Sequence, residues 1–172
     1  MDTFETAAKI RELLLARGWK LATCESLTSG MIASEIAEVP GVSAVYEGGF
    51  VTYSCAQKHA MADVPEEILG KYGAVSRQTA EAMCLGTARR TGADIAVSAT
   101  GNAGPDASEG KPVGMVFIGV ALHGTATVKE YRFQGTRPAI REASAAAALS
   151  DLLETLEGGN GCTVKGSEGS SF

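Results

Sequence analysis

The sequence of 172 residues lacks any apolar run close to the roughly 20 residues that a membrane-spanning helix needs. Its first ten residues, MDTFETAAKI, carry acidic side chains where a secretory leader has a basic segment followed by an apolar one. We therefore predict a cytoplasmic protein without a membrane partner.

Positive charge is also scarce, since the net charge is −5 and no basic run occurs. Nucleic-acid binding usually needs a basic face, so we expect no nucleic-acid partner. The cysteines form no CxxC pair and the two histidines lie far apart, which excludes the usual zinc spacings. These residues are Cys24, Cys55, Cys84, Cys162, His59 and His123. We expect free thiols and no metal.

Several well-known catalytic motifs are missing. The stretch GPDASEGKP has five residues between Gly104 and Gly110 where a P-loop has four, and Pro112 stands where the hydroxyl residue should be. No GxGxxG follows the first apolar run, and no GxSxG surrounds Ser26. A Ser-His-Asp triad is equally unsupported, because His123 lies in a predicted hairpin turn and His59 would have to act alone.

Hydrophobic periodicity and capping residues predict alternating strands and helices. Helices are predicted over 2–17, 28–39, 77–92 and 136–157, with short helical turns at 55–61 and 65–73. Strands are predicted over 20–24, 44–54 and 94–100, followed by a hairpin of 113–122 and 126–133. This order predicts an α/β fold with helices on both faces of a mixed sheet. We expect one domain over residues 1–157 and a disordered Gly/Ser-rich tail over 158–172.

Three polar turns follow three of these strands. They are the turn at Ser26, the end of GGFVTYS at residues 48–54, and the loop after AVSAT at residues 96–100. In open α/β sheets, ligands bind beyond the carboxyl ends of the strands. The sequence therefore predicts that these turns share one crevice.

The turn CESLTSG places Ser26 between a strand and a helix. Thr28 or Ser29 suits the role of helix cap, whereas Ser26 comes too early for it, so its hydroxyl remains available as a nucleophile. The N–H groups of residues 27–30 would point into the same space and could hold a phosphate or an oxyanion. Cys24 is a rival nucleophile, but its place in the apolar run favours a buried core thiol.

A serine can be activated by a lysine whose pKa is lowered by burial. The candidate is Lys58 in TYSCAQKHA, with Tyr53 to relay a proton or to hold the lysine in position. The alternative is that Tyr53 is a half-buried strand residue and Lys58 a solvated surface charge. The pair is not the YxxxK of short-chain reductases, because four residues separate Tyr53 from Lys58.

Six motifs in order resemble the CinA C-terminal family, the nicotinamide-nucleotide amidohydrolases. They are CESLTSG (24–30), GGFVTYSCAQK (48–58), GAVS (73–76), TGNAGP (100–105), KPVG (111–114) and GTRPAIRE (135–142). The resemblance covers about residues 4–157. It implies a compact three-layer α/β/α sandwich with a mixed sheet. It also implies hydrolysis of the carboxamide of nicotinamide mononucleotide to nicotinate mononucleotide and ammonia.

The resemblance also implies the roles of individual residues. The catalytic ones would be Ser26 as nucleophile, with Lys58 and Tyr53. The substrate-binding ones would be Thr28, Ser29, Gly30, Gly48, Gly49, Thr100, Gly101, Arg137 and Arg141. No metal or organic cofactor is implied, and we expect the chain to form a homo-oligomer.

The chain departs from the family pattern at Leu27, Ser29 and Asn102, where a cysteine, a glycine and an apolar residue are usual. Ser29 and Asn102 leave open a regulatory protein that binds a nucleotide without hydrolysing it. A phosphosugar-binding or phosphatase-like enzyme is a third reading, although the usual carboxylate cluster is not evident. The N-terminal domain of longer family members has no counterpart in these residues, so we expect no pyrophosphatase activity.

Overall fold

The computed structural model describes residues 1–158. Its helices are α1 (Thr3–Arg17), α2 (Met31–Ala37), α3 (Cys55–Ala62), α4 (Glu66–Tyr72), α5 (Arg77–Thr91) and α6 (Arg137–Gly158), with a 3₁₀ helix at Val42–Ala44. Its strands are β1 (Leu21–Glu25), β2 (Tyr46–Val51), β3 (Ile95–Gly101), β4 (Met115–Leu122) and β5 (Thr125–Arg132). Gly158 ends α6, and the rest of the predicted tail lies outside the described residues.

The strands form one sheet in the order β2-β1-β3-β4-β5. Strands β2, β1 and β3 are mutually parallel, whereas β4 and β5 add to the sheet as an antiparallel hairpin. Helices α1, α2 and α6 cover one face, and α5, with α3 and α4 packed on it, covers the other. The predicted three-layer α/β/α architecture with a mixed sheet is therefore confirmed.

The largest part of the core lies between the sheet and helices α1, α2 and α6. Its fully buried side chains include Leu14, Ile32, Ile118, Ile140 and Leu149. Burial of a side chain of this size contributes about 1.5–3 kcal/mol to the free energy of unfolding. This packing fixes α2 and α6 against the sheet, and both helices border the turn that follows β1. No helix in residues 1–158 is long and apolar enough to cross a membrane.

Local capping chemistry explains most of the helix boundaries. Asp2 and Glu5 form a capping box at the start of α1, and Gly18 ends that helix with φ of 66°. Ser76 and Gly92 bound α5 as predicted.

Two predicted boundaries are wrong. Helix α2 begins at Met31 rather than near Thr28, because Ser29 and Gly30 both adopt left-handed backbone angles. Strand β2 ends at Val51 because Ser54 caps the next helix: its Oγ accepts a hydrogen bond from the N–H of Gln57.

Candidate active site

A cavity of about 200 Å³ lies at the carboxyl ends of the parallel strands β1, β2 and β3. It brings together the three polar turns that the sequence predicts to share a crevice. Its chemically active lining residues are Ser26, Tyr53, Lys58, Thr100, Glu109 and Arg137. Among the catalytic and binding candidates, Ser26, Tyr53, Lys58, Thr100, Gly101 and Arg137 line the cavity.

Ser26 and Lys58 are in direct contact inside this cavity. Lys58 Nζ lies 3.1 Å from Ser26 Oγ, 2.8 Å from the carbonyl oxygen of Thr52 and 3.4 Å from that of Tyr53. The lysine side chain is 1% exposed, so the alternative of a solvated surface charge is wrong. The contact supplies the nucleophile and base arrangement that serine activation requires.

Burial lowers the pKa of the Lys58 amine, because desolvation disfavours the charged form. Nearby Cys55, Cys24 and Glu109 oppose that effect when ionised, but only in part. None of the three neighbours that bond to the amine is a carboxylate. Lys58 therefore becomes a neutral amine at a lower pH than an exposed lysine does.

Helix α3 places Lys58 in the cavity. The lysine lies in the first turn of that helix, which begins where the sequence predicts a short helical turn over 55–61. Side chains on a helix point back toward its N-terminus, and here the N-terminus follows directly from the end of β2. The Lys58 side chain therefore runs back toward the end of β2, where its Nζ contacts the Thr52 carbonyl and Ser26 Oγ.

Glu25, which the sequence analysis missed, holds the turn that carries Ser26. Its carboxylate is 1% exposed and accepts hydrogen bonds from the N–H groups of Ile32 (2.9 Å) and Ala33 (3.0 Å). These amides belong to the first turn of α2, where intrahelical partners are absent. Glu25 therefore caps the N-terminus of α2, the role that the sequence analysis assigned to Thr28 or Ser29. An acidic residue that ends an apolar strand is the signal that could have revealed it.

The turn after Ser26 leaves three backbone donors free. The N–H of Ser26 donates to Ala99 and that of Ser29 donates back to Ser26, whereas those of Leu27, Thr28 and Gly30 donate to no group within residues 1–158. Free amides next to a nucleophile are the usual material of an oxyanion hole. The sequence analysis offers the N–H groups of residues 27–30 for this role. The N–H of Ser29 is already used in a hydrogen bond within the turn.

Thr28, Ser29 and Gly30 are not among the residues that line the cavity. Thr28 is fully buried, and its hydroxyl finds no hydrogen-bond partner among the described residues. Ser29 is exposed with φ of 48°, and Gly30 is the N-cap of α2 with φ of 98°. Their contribution to the site is the shape of the backbone.

Gly48 and Gly49 lie inside β2 and outside the cavity lining. The register of β2 against β1 shifts between Leu21 and Ala22, as at a β-bulge. A Cβ atom on Gly49 would come within 2.1 Å of Thr23 Oγ1. The close approach that Gly49 allows is therefore to the neighbouring strand, whereas a Cβ atom on Gly48 would meet no atom within 4 Å.

Thr100 and Gly101 line the cavity at the end of β3. The Thr100 hydroxyl donates to the carbonyl of Ala74 at 2.7 Å, so it ties β3 to the loop before α5. A Cβ atom on Gly101 would lie 2.8 Å from the carbonyl oxygen of Met115. Both residues therefore contribute to the packing around β3 as well as lining the cavity.

The two candidate phosphate ligands, Arg137 and Arg141, occupy different places. Arg137 lines the cavity and donates to the carbonyl of Gly104 at 2.6 Å and to the hydroxyl of Tyr53 at 2.9 Å. Arg141 donates instead to the carbonyls of Leu27 (2.8 Å) and Thr28 (3.2 Å). Arg141 therefore braces the turn after Ser26.

Tyr53 is 59% exposed and follows the end of β2, so it is not the half-buried strand residue of the alternative reading. Its hydroxyl bonds to Arg137, and its backbone carbonyl is the part that reaches Lys58. The structure therefore places the phenol beside the cavity mouth rather than on a proton path from Lys58.

Glu109, also missed in the sequence analysis, contributes a carboxylate to the cavity wall. It accepts hydrogen bonds from the N–H groups of Ala74 (3.0 Å) and Val75 (3.1 Å). Burial works to raise its pKa, but these two donors and Lys111 outweigh it, so the pKa lies below its usual value. The surrounding sequence, GPDASEGKP, has no periodicity that would single out this residue.

The remaining thiols and imidazoles lie outside this chemistry. Cys24 is a buried core thiol, as expected, and burial raises the pKa of that thiol. His59 Nδ1 lies 2.8 Å from the carbonyl oxygen of Val64. Residues 1–158 contain no cluster of three His, Cys, Asp or Glu side chains placed to hold a metal ion.

A larger cavity of about 360 Å³ lies between the β4–β5 hairpin and the end of α6. Its polar lining includes Lys129, which forms ion pairs with both Asp151 and Glu154. Among the described residues, no hydroxyl on its wall bonds to a basic side chain, so its size does not make it the better candidate for catalysis.

Comparison with known proteins agrees with this fold. A family model described as the CinA C-terminal domain matches residues 3–156. A protein of Enterobacter agglomerans named nicotinamide-nucleotide amidohydrolase PncC is 43% identical over 151 residues, which are 87% of this chain and 92% of that protein. A crystal structure of a competence-damaged protein (CinA) superfamily protein from Klebsiella pneumoniae matches with a TM-score of 0.88 and 33% sequence identity. The match covers 92% of this chain and 99% of that one.

Longer relatives match as well. One is a protein of Caldicellulosiruptor saccharolyticus, named as a competence-damage inducible protein. It is 45% identical to this chain over 146 residues, which are 84% of this chain and 36% of that protein. The chain spans about a third of the length of the curated relatives of this kind that it matches. The extent of these matches shows that the chain belongs to the CinA C-terminal domain family.

Proposed function

We propose that this chain hydrolyses the carboxamide of nicotinamide mononucleotide, giving nicotinate mononucleotide and ammonia. The 3.1 Å contact between Lys58 Nζ and Ser26 Oγ supports this most directly, because it pairs a nucleophile with a buried base in a cavity. The name of the Enterobacter agglomerans relative supports the choice of substrate.

The first step in this mechanism activates the serine. A neutral amine has two N–H groups and one lone pair. As an ammonium, Lys58 donates to Ser26 Oγ. In the neutral amine, the carbonyls of Thr52 and Tyr53 would accept hydrogen bonds from the two N–H groups, which leaves the lone pair to accept from the Ser26 hydroxyl. Lys58 takes the hydroxyl proton as Ser26 Oγ attacks the carboxamide carbon.

The attack places negative charge on the former carbonyl oxygen. The free N–H groups of Leu27 and Thr28 are the donors that stabilise it. A donor of this kind is worth about 2.7–4 kcal/mol of transition-state stabilisation. The positively charged pyridinium ring helps, because it withdraws electrons from the carbonyl.

Collapse of the tetrahedral intermediate breaks the C–N bond. The Lys58 ammonium returns its proton to the leaving nitrogen, so ammonia departs and an acyl ester on Ser26 remains. Water then attacks the ester with Lys58 again as base, which frees nicotinate mononucleotide and restores the serine. These steps use no metal or organic cofactor.

Arg137 is our candidate for the phosphate, because it lines the cavity and a guanidinium matches phosphate oxygens bidentately. Tyr53 lies beside it at the mouth and orients the guanidinium through its hydroxyl. Arg141 takes a positioning role in this proposal, since both of its hydrogen bonds go to the turn after Ser26.

The departures from the family pattern are compatible with catalysis. The Leu27 side chain is buried, but its backbone N–H stays free, and the Ser29 side chain lies outside the cavity. Asn102 shapes the following loop, because its side chain accepts from the N–H of Gly104 and donates to the carbonyl of Lys111. None of the three changes removes a group that the proposed steps use.

Ammonia release tests the proposal. Purified protein is incubated with nicotinamide mononucleotide, and ammonia is measured enzymatically beside a Ser26→Ala control. Release by the wild type alone is the expected result. Binding of the mononucleotide without ammonia release would contradict the proposed hydrolysis and favour a nucleotide-binding regulatory protein.

A further inference from the structure

Glu109 is the only carboxylate among the described residues that line the cavity. The same wall also carries the amine of Lys58 and the guanidinium of Arg137. A cation entering this space would be repelled by Arg137, and by Lys58 whenever its amine is protonated. The single negative group is therefore the feature of the wall that favours a positive ligand.

The position of this carboxylate is fixed. Its two oxygens accept hydrogen bonds from the adjacent N–H groups of Ala74 and Val75, which belong to the same cavity wall. Lys111 Nζ lies 3.7 Å from one oxygen but does not line the cavity, and it also donates to the carbonyl of Tyr72. The side chain of Glu109 is 33% exposed, so water screens part of its charge but the protein does not enclose the carboxylate.

We propose that Glu109 is a specificity-determining residue that selects a positively charged pyridinium ring over an uncharged ring of the same size. This inference rests on the proposed function, because it concerns the substrate of that same site. The carboxamide must reach Ser26, and the ring is bonded directly to the carboxamide. In a cavity of about 200 Å³, the ring must therefore lie between the same walls as Glu109.

The assignment gives each charge of the substrate a partner of opposite sign. Nicotinamide mononucleotide has a positive ring and a negative phosphate. Glu109 attracts the ring, and Arg137 attracts the phosphate. Two opposite charges placed apart on the wall also orient the substrate, because the reversed pose would put like charges together.

Binding measurements on a Ser26→Ala background test the inference without turnover. The ligands are oxidised and reduced nicotinamide mononucleotide, which differ by one hydride and so have nearly the same size, whereas only the oxidised ring is charged. Isothermal titration calorimetry gives the dissociation constant of each. We expect the background protein to prefer the oxidised form, and Glu109→Gln to reduce that preference by about fivefold, as for a partly exposed charge pair.

The ratio of the two constants separates this role from a structural one. Loss of the loop anchor alone would weaken both ligands equally and leave the ratio unchanged, which would overturn the inference. Glu109→Asp keeps the charge and should retain the preference. Asp106→Asn removes one exposed negative charge from the same loop outside the cavity, so it should leave the ratio unchanged. An equal change of the ratio in Asp106→Asn would also overturn the inference.

Ammonia release by the wild type tells this inference apart from the proposed function. If the wild type releases no ammonia but the Ser26→Ala protein shows the Glu109-dependent preference, the hydrolysis proposal fails and the charge selection stands. If the wild type releases ammonia and the preference does not depend on Glu109, the hydrolysis proposal stands and the charge selection fails. If neither form of the mononucleotide binds, both fail.

Discussion

Glu25 and Arg141 hold the turn after Ser26 from its two sides. The Glu25 carboxylate accepts hydrogen bonds from the first turn of α2, and the Arg141 guanidinium donates to the carbonyls of Leu27 and Thr28. In a trans peptide the C=O and N–H point in opposite directions. Because the Leu27 carbonyl points at Arg141, the N–H of Thr28 points away from it and remains free.

Ser26→Ala should abolish amide hydrolysis while leaving the fold and the affinity for nicotinamide mononucleotide nearly unchanged. Only the attacking hydroxyl is lost, and removal of a nucleophile typically lowers kcat about a thousandfold or more. Ammonia release and calorimetric binding measure the two effects. Ser29→Ala is the matched control, because it removes an exposed hydroxyl from the same turn. A Ser26→Ala protein with more than a few per cent of wild-type turnover would exclude Ser26 as the nucleophile.

Lys58→Arg should be nearly inactive, because a guanidinium cannot lose its proton at working pH. In the wild type, kcat/KM should rise with pH as the Lys58 ammonium becomes a neutral base. Burial lowers the pKa of this amine, so the rise should occur below the value of about 10.4 of an exposed lysine. The measurement is a pH profile of ammonia release. Lys71→Arg serves as the control on an exposed lysine, and substantial activity in Lys58→Arg would rule out Lys58 as the base.

Glu25→Gln should lower both the stability and the activity. The amide group that replaces one carboxylate oxygen cannot accept from the N–H that it faces, so one helix-capping bond is lost and that donor stays buried. The expected loss in the free energy of unfolding is about 1–3 kcal/mol, and kcat should fall more than KM rises. Urea denaturation and steady-state kinetics test this. Glu38→Gln, at an exposed position just after α2, should change neither quantity by much.

The fold was predictable from the sequence because its signals are local. The capping residues Asp2, Ser76 and Gly92 define helix ends through bonds to near neighbours in the chain. The near-continuous apolar run at 94–100 likewise indicates a strand buried on both faces. Where the boundary depends on a left-handed residue that is not glycine, as at Ser29, the sequence rule fails.

The Ser26–Lys58 pair could be proposed from the sequence and from the family resemblance, since strand ends meet at one edge of the sheet. Its supporting contacts could not. The Glu109 carboxylate reaches the amides of Ala74 and Val75 across more than 30 positions of the chain. Contacts at such separations depend on the packed structure, and no spacing rule within a single loop predicts them.

Arg137→Ala and Arg141→Ala should have opposite kinetic signatures. Arg137 lines the cavity, so its loss should raise KM for nicotinamide mononucleotide more than it lowers kcat, the pattern of lost ground-state binding. Within residues 1–158, the Arg141 side chain bonds only to the carbonyls of Leu27 and Thr28, so its loss should lower kcat and leave KM nearly unchanged.

Free nicotinamide supplies the matched ligand for this comparison, because it has the carboxamide but no phosphate. It should be a very poor substrate, since remote binding energy positions the reacting group. Arg137→Ala should not reduce that residual activity much, whereas Arg141→Ala should reduce it as strongly as it reduces activity on the mononucleotide. Michaelis curves for both substrates and all three proteins provide the test. A normal KM for the mononucleotide in Arg137→Ala would place the phosphate elsewhere, and the loop at residues 100–105 would then be the next candidate.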